Sequence, residues 1–341
     1  MSWPTFWNKK NWQSALLWPL SKAVCLEAKR RLQKFKKTPP TRISAAKVIV
    51  VGNLVVGGSG KTPLIIWLAE ALRQQGLSVG IVSRGYGGQA SEFPQWVTEN
   101  SNPSDVGDEP VLLAKTLQVP VAVSPKRTEA IALIEKKHAC DVIISDDGLQ
   151  HFAMQRDIEI VVVDAERQFG NQLCMPAGPL REPLGRLRDV DAVVVNGGGA
   201  LRLNAKWQKR FAVDLPPRFD MQLQPTVLRN LFNPQSTLAI ESFSDLAVNS
   251  MAGIGNPQRF FSTLQPLVAA QKTYAFADHQ SYCKEDLQDF IDEKPLIMTA
   301  KDAVKCQPLA QQMQAKNFWS LEVQTQVAPE LLTLLLQKLQ K

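Results

Sequence analysis

LVVGGSGKTP, residues 54–63, is the stretch that decides the fold. KVIVV (47–51) stands just before it, an apolar β-branched run of the kind that forms a buried strand. After it, residues 61–75 carry helical apolar spacing and stop at Gly76. Strand, glycine turn and helix, in that order, are the context of a phosphate-binding loop. Small residues let backbone N–H groups turn inward around an anion, and the helix adds its positive N-terminal end. The expected nucleotide contacts are Gly57, Gly58, Ser59, Gly60, Lys61, Thr62 and Pro63. Lys61 would neutralise the outer phosphates, and the Thr62 hydroxyl would hold a magnesium ion. The strict spacing asks for glycine five residues before Gly60 and meets Val55, so the loop has a shifted GGxGKT form.

Working outward, SVGIVS (78–83), VPVAVS (119–124), DVIISDD (141–147), IEIVVVDA (158–165) and DAVVVN (191–196) read as further buried strands. Helical stretches such as 125–137 lie between them. This alternation predicts an α/β fold: a P-loop NTPase-like, mostly parallel sheet with helices on both faces. Beyond Phe211 the chain becomes proline-studded and weakly periodic, which suggests an interdomain linker. A second, smaller α/β set follows: NSMAGIGNP as strand and turn, KTYAF, PLIMTA and FWSLEV as strands, with QRFFSTLQPLV, KEDLQDFI and a closing PELLTLLLQKLQ as helices. The expected division is an N-terminal segment (1–40), a nucleotide-binding core (41–212), a linker (213–245) and a C-terminal domain (246–341) whose last helix packs back on the core.

The net charge of +7 is local. Residues 1–37 hold nine lysines and arginines against Glu27, a net +8, so the remainder sums to −1. A nucleic-acid protein would spread such charge over its folded surface, so no nucleic-acid partner is expected. The same segment carries Trp3, Trp7, Trp12 and Trp18, with Leu16, Leu17, Leu20 and Val24 at roughly helical spacing and Pro19 opening a second helix. Tryptophan and leucine opposite lysine and arginine suit the headgroup boundary of an anionic membrane. The same residues also suit a helix packed on the protein's own body. No run is long enough to span a bilayer, and none has the form of a signal peptide. The five cysteines, odd in number and without a C-x-x-C pair, read as reduced thiols with no cysteine metal site.

DVIISDDGLQH brings Asp146 and Asp147 to the tip of a buried strand, where a carboxylate can hold magnesium or its water. Two nucleotide-using classes lose ground here. A GTPase needs N-K-x-D after a strand, and TAKD (299–302) has the wrong spacing. A partition-type ATPase needs a lysine early in the loop, and residues 52–60 contain none.

VGNLVVGGSGKTP, SRGYGG (83–88), VGDEP (106–110), DDGLQH (146–151), PAGPLREP (176–183) and FADH (276–279) occur together and in order. This set resembles the tetraacyldisaccharide 4'-kinase family of Gram-negative lipid A synthesis. The resemblance runs from about residue 46 to 305. It implies transfer of the γ-phosphate of ATP to the 4'-hydroxyl of a tetraacylated glucosamine disaccharide 1-phosphate. It also implies magnesium, an acylated disaccharide phospholipid substrate and peripheral attachment at the cytoplasmic face of the inner membrane. Position by position, it implies Lys61 and Thr62 as the loop pair and Asp146, Asp147 and Glu182 on the metal side, with Gln150 ordering the metal shell. Arg181 would balance phosphate charge. Asp108 would be the base and His279 its partner, 171 positions apart. Asp108 equally fits a helix N-cap, and His138 and His151 read as structural. With an anionic, acylated substrate, the N-terminal segment reads as a membrane contact. No feature asks for an obligate protein partner. The alternative is a P-loop ATPase that switches a protein partner or delivers a metal.

Overall fold

The computed structural model describes residues 3–211, 215–291 and 294–340. The boundary expected at 212/213 falls outside these residues. Along the chain the strands are β1 (Lys47–Gly52), β2 (Val79–Ser83), β3 (Gln95–Val97), β4 (Val121–Val123), β5 (Val142–Asp146), β6 (Ile158–Asp164) and β7 (Ala192–Asn196). Then come β8 (Arg218–Asn230), β9 (Thr237–Ala239), β10 (Ala247–Ala252), β11 (Ala270–Ala275), β12 (Leu296–Thr299) and β13 (Phe318–Val327). They form one sheet in the order β11-β10-β12-β13-β8-β7-β6-β1-β5-β2-β4-β3, with β9 on β8.

Strands β7, β6, β1, β5, β2 and β4 are mutually parallel, the array anticipated from the alternating apolar runs. β1 alternates Ile49 and Val51 into one apolar layer with Val48 and Val50 into the other. Leu64 and Leu68 of the helix Lys61–Gln74, Leu113 of Asp108–Leu117 and Leu335 of Glu330–Leu339 fill the first layer. Ile131 and Ile134 of Arg127–Lys137, with Leu184 and Leu187, fill the second. Each such side chain, fully buried, contributes on the order of 1.5–3 kcal/mol, so both faces specify the register of the central strands. A second parallel array, β11-β10-β12-β13, carries its own apolar layers.

The stretch expected to be an irregular linker contains the longest strand among the described residues. β8 continues the first array in parallel with β7 and then runs antiparallel to β13. Its pairing shifts between Glu322 and Val323, where Val323 faces Pro225. Proline has no N–H to give a ladder, and the bulge absorbs the gap. The prolines that mimic a linker in the sequence are thus accommodated by a bulge and a strand start. Elements not anticipated include the short antiparallel strands β3 and β9 and the helices Ala205–Phe211 and Ala300–Gln312, the last following TAKD's threonine.

The N-terminal segment forms a short helix, Trp12–Leu16, and a long one, Trp18–Lys37, with Pro19 in its first turn. The indole of Trp3 donates to the Val56 carbonyl (3.0 Å) and that of Trp7 to the Pro176 carbonyl (2.9 Å). Trp12, Leu16, Trp18, Leu20 and Leu26 are exposed. Cys25 is joined to Cys174 by a disulfide, which corrects the expectation of five reduced thiols. The fold brings together two cysteines 149 residues apart, a pairing that local spacing cannot reveal. No helix among the described residues is long and apolar enough to cross a membrane.

Candidate active site

The glycine loop leaves β1 at Gly52 and ends where the helix Lys61–Gln74 begins. Gly57 (φ 93°) and Gly60 (φ 91°) occupy the left-handed region that the turn requires. Asn53 donates to the Gly57 carbonyl (3.0 Å) and Asn196, at the tip of β7, to the Ser59 carbonyl (3.1 Å). Val55 explains the shifted spacing: its side chain is buried in the same apolar layer as Leu180, a packing role that glycine could not fill.

Asp146 ends β5, and the Ser83 hydroxyl donates to its Oδ2 (3.0 Å). Burial, with Glu109 and Asp147 nearby, pushes its carboxyl up to about 7 against the opposing pull of Lys61. Its Oδ1 is buried without a partner. Asp147 adopts φ 46°, a conformation aspartate tolerates better than most residues. Arg181 Nη1 donates to both its oxygens (3.1 and 2.9 Å), and Lys61 Nζ lies 3.6 Å away. Burial alone would raise the Asp147 carboxyl, but these two cations outweigh it and hold it well below the usual range. Glu182 accepts from Gln150 Nε2 (3.1 Å), and burial raises its carboxyl. Behind it, Arg186 Nη2 donates to both oxygens of Glu159 (2.6 Å each) while Arg156 donates to one of them (2.9 Å), forming a buried ionic floor. Arg127 Nη2 donates to the Asp147 carbonyl (3.2 Å), steadying the turn between the carboxylates. His151 is pushed down to about 4 by burial and by Arg127, Arg156 and Arg84.

Across the opening lies the second group. Asp108 is the first residue of its helix, and Gly107 (φ 92°) takes the cap position, so the expected N-cap is displaced by one residue. His279 Nδ1 lies 3.0 Å from Asp108 Oδ1, so the two motifs 171 residues apart do meet. Lys305 Nζ stands 3.3 Å from Asp108 Oδ2. Burial would raise Asp108, but the His279 hydrogen bond and the ammonium groups of Lys301 and Lys305 hold it well below the usual carboxylate range. A cavity of about 1270 Å³ joins the two groups. Lys61, Thr62, Asp146, Asp147, Gln150, Arg181 and His279 reach its wall, and Asp108 stands behind His279.

Among the described residues, no three His, Cys, Asp or Glu side chains converge into a cation cage of their own. The unpartnered Asp146 Oδ1 and the raised Asp146 and Glu182 carboxyls instead fit a cation shared with phosphate oxygens, the usual habit of magnesium.

The family model described as tetraacyldisaccharide-1-P 4'-kinase matches residues 13–340. The chain belongs to the tetraacyldisaccharide-1-P 4'-kinase family. It is 55% identical to the tetraacyldisaccharide 4'-kinase of Hydrogenovibrio crunogenus, covering 95% of this chain and 93% of that one. It is 44% identical to the enzyme of the same name from Haemophilus influenzae, over 94% and 91% of the two chains. The crystal structure of LpxK from Aquifex aeolicus in complex with ATP superposes with a TM-score of 0.75 at 28% identity, covering 96% of this chain and 99% of that one. Membership in a kinase family resolves the choice between kinase and nucleotide-switch ATPase. Sequence reasoning missed the cations around the Asp108–His279 pair. Lys301 lies inside TAKD, whose spacing carries no base-reading signal, and its role appears only in contact with His279.

Proposed function

We propose that this chain transfers the γ-phosphate of ATP to the 4'-hydroxyl of a tetraacylated glucosamine disaccharide 1-phosphate. The observation that carries this is one cavity shared by the phosphate loop, the β5 carboxylates and His279 with Asp108 behind it. Phosphoryl transfer asks mainly for alignment and charge neutralisation, and the residues divide those tasks. Residues 57–63 cradle the phosphates, with Lys61 between them and Asp147. Arg181, now paired with Asp147, balances developing charge on the transferred group. Thr62, Asp146 and Asp147 would hold Mg2+, with Glu182 and Gln150 ordering its outer shell. The ion would neutralise the phosphate oxygens. Asp108 and His279 act as a unit that takes the acceptor hydroxyl's proton, with the imidazole as the member facing the cavity.

The two parallel arrays act as domains of 41–212 and 246–341, joined through the β8 region, and closure brings their loops over the substrate. The exposed apolar residues from Trp12 to Leu26, among the lysines and arginines of the same helices, support a reading in which the protein adsorbs to the cytoplasmic surface of the inner membrane.

The test is ATP-dependent phosphorylation by the purified protein of a tetraacyldisaccharide 1-phosphate and of its deacylated analogue. Acceptor-dependent turnover with strong preference for the acylated substrate is expected. ATP hydrolysis indifferent to either acceptor would overturn the assignment.

A further inference from the structure

We propose that Lys301 is a positioning residue that decides which nitrogen of His279 carries the proton: its ammonium, 3.2 Å from Nε2, keeps that nitrogen bare and the proton on Nδ1, facing Asp108. This rests on the reading of Asp108 and His279 as the proton-accepting unit.

An ammonium has donors only, so the imidazole nitrogen it meets must offer a lone pair. The ring's remaining proton then sits on Nδ1, 3.0 Å from Asp108 Oδ1. Lys301 stays charged because Glu109 Oε1 lies at 2.9 Å and Asp278 Oδ1 at 3.5 Å. Burial works against that charge, but the surrounding acids outweigh it and raise the lysine above its ordinary value. Without Lys301, the acid nearest Nε2 is Asp278, at 3.8 Å, and it would draw a proton to that nitrogen.

The lysine is held in place by the motif around it. Thr299 caps the helix Ala300–Gln312: its hydroxyl accepts the Asp302 N–H (3.1 Å) and donates to Asp302 Oδ2 (2.7 Å). Asp302 is fully buried and also accepts from the Gly253 N–H (3.0 Å) and the Tyr282 hydroxyl (2.9 Å). Lys301 therefore leaves a fixed first turn toward the cavity, whose wall it joins. His279 is fixed from its own side by φ 59° and an N–H donated to the Gly253 carbonyl (3.3 Å). The groups facing the pair are Glu109 from the Asp108 helix, Asp278 and Tyr282 from the turn after β11, and Lys301 and Lys305 from the helix after β12, with Asp302 beside Lys305. Tyr86, from the loop after β2, packs edge-on to the imidazole with ring centroids 5.0 Å apart.

The test compares the full-length protein with Lys301→Met and Lys301→Arg. Ring-nitrogen chemical shifts of His279, assigned with a His279→Gln variant and followed into the pH range where the ring is neutral, should show the Nδ1–H tautomer in the parent. Lys301→Met should show Nε2 protonated. An Nε2–H ring in the parent overturns the proposal, and this measurement needs no turnover. With the tetraacyldisaccharide acceptor, Lys301→Met should lower kcat about 10- to 100-fold at neutral pH. KM for ATP should stay nearly unchanged. Lys301→Arg should restore the Nδ1–H tautomer and most of kcat. Parent-like ring-nitrogen shifts in Lys301→Met also overturn the proposal. Failure of both proteins to phosphorylate the acceptor counts against the kinase assignment alone, because the tautomer still answers for Lys301.

Discussion

Gly60 illustrates how one atom can govern the nucleotide loop. It sits at φ 91°, and a Cβ placed there would run into the Asn196 side chain. Gly60→Ala should therefore combine left-handed strain of about 1–2 kcal/mol with loss of the Asn196–Ser59 bond. Calorimetric titration with ATP should show at least a tenfold weaker affinity, while parent-like binding would mean that the loop rearranges without cost. Arg186 acts at the same scale from below. It supplies both oxygens of Glu159 and stands 3.7 Å from Glu182. Arg186→Met leaves buried carboxylates short of a counter-charge and should cost roughly 3–5 kcal/mol in urea unfolding. Adding Glu159→Gln should recover part of that loss. These contacts also mark where the sequence was legible. Lys61, Asp146 and Asp147 stood out because they belong to a motif with a local grammar. Arg186, Lys301 and Lys305 did not, because their partners lie far along the chain and their meaning exists only once the fold forms.

At the scale of elements, the tryptophan-rich N-terminus divides its labour. Trp3 and Trp7 spend their indole N–H groups on the loops at Val56 and Pro176, and Ser21 donates to the Cys174 carbonyl (2.6 Å). Trp12, Leu16, Trp18 and Leu20 face outward. Helical spacing announced an amphipathic segment, but it could not say which tryptophans anchor and which protrude. Deleting residues 2–20 should reduce co-sedimentation with anionic liposomes. A sharper test is Trp12→Ser with Leu16→Ser and Leu20→Ser, which should lower liposome binding while leaving the melting temperature unchanged. Trp3→Ala should do the reverse. Undiminished liposome binding by the triple variant would remove these residues from the membrane contact. β8 makes the complementary point: prolines that read as a linker belong to a strand whose bulge tolerates them.

At the scale of the whole molecule, Asp108 and His279 join loops from the two arrays, and their electrostatics set a pH dependence. The Asp108 carboxyl is held below its ordinary value in the folded chain. Its ionised form therefore contributes stability at all pH above the unfolded value of about 3.9, and loses it only as pH falls through the lower folded value. Asp108→Asn should melt earlier than the parent at pH 7, and the gap should close under strong acid. A gap that widens on acidification would refute this account. The parallel core of the first array was legible from six apolar runs, since buried central strands carry their own signal. The joining of both arrays into one sheet was not, because it depends on an antiparallel pairing between strands some ninety residues apart, Leu228 with Leu321 for example.

That joining has a mechanical consequence. Met221 pairs with Asn196 on one side and with Val327 on the other, so a single backbone is clamped to both halves at once. A strand ladder resists stretching and shear but yields in twist. The connection therefore works as a torsion bar rather than a loose tether, with its softest point at the Pro225 bulge. A rotation of the two halves toward each other would leave the rungs intact. Amides along β8 and β13 should then exchange slowly and equally with and without nucleotide, while those in the loops they carry slow down when the nucleotide binds.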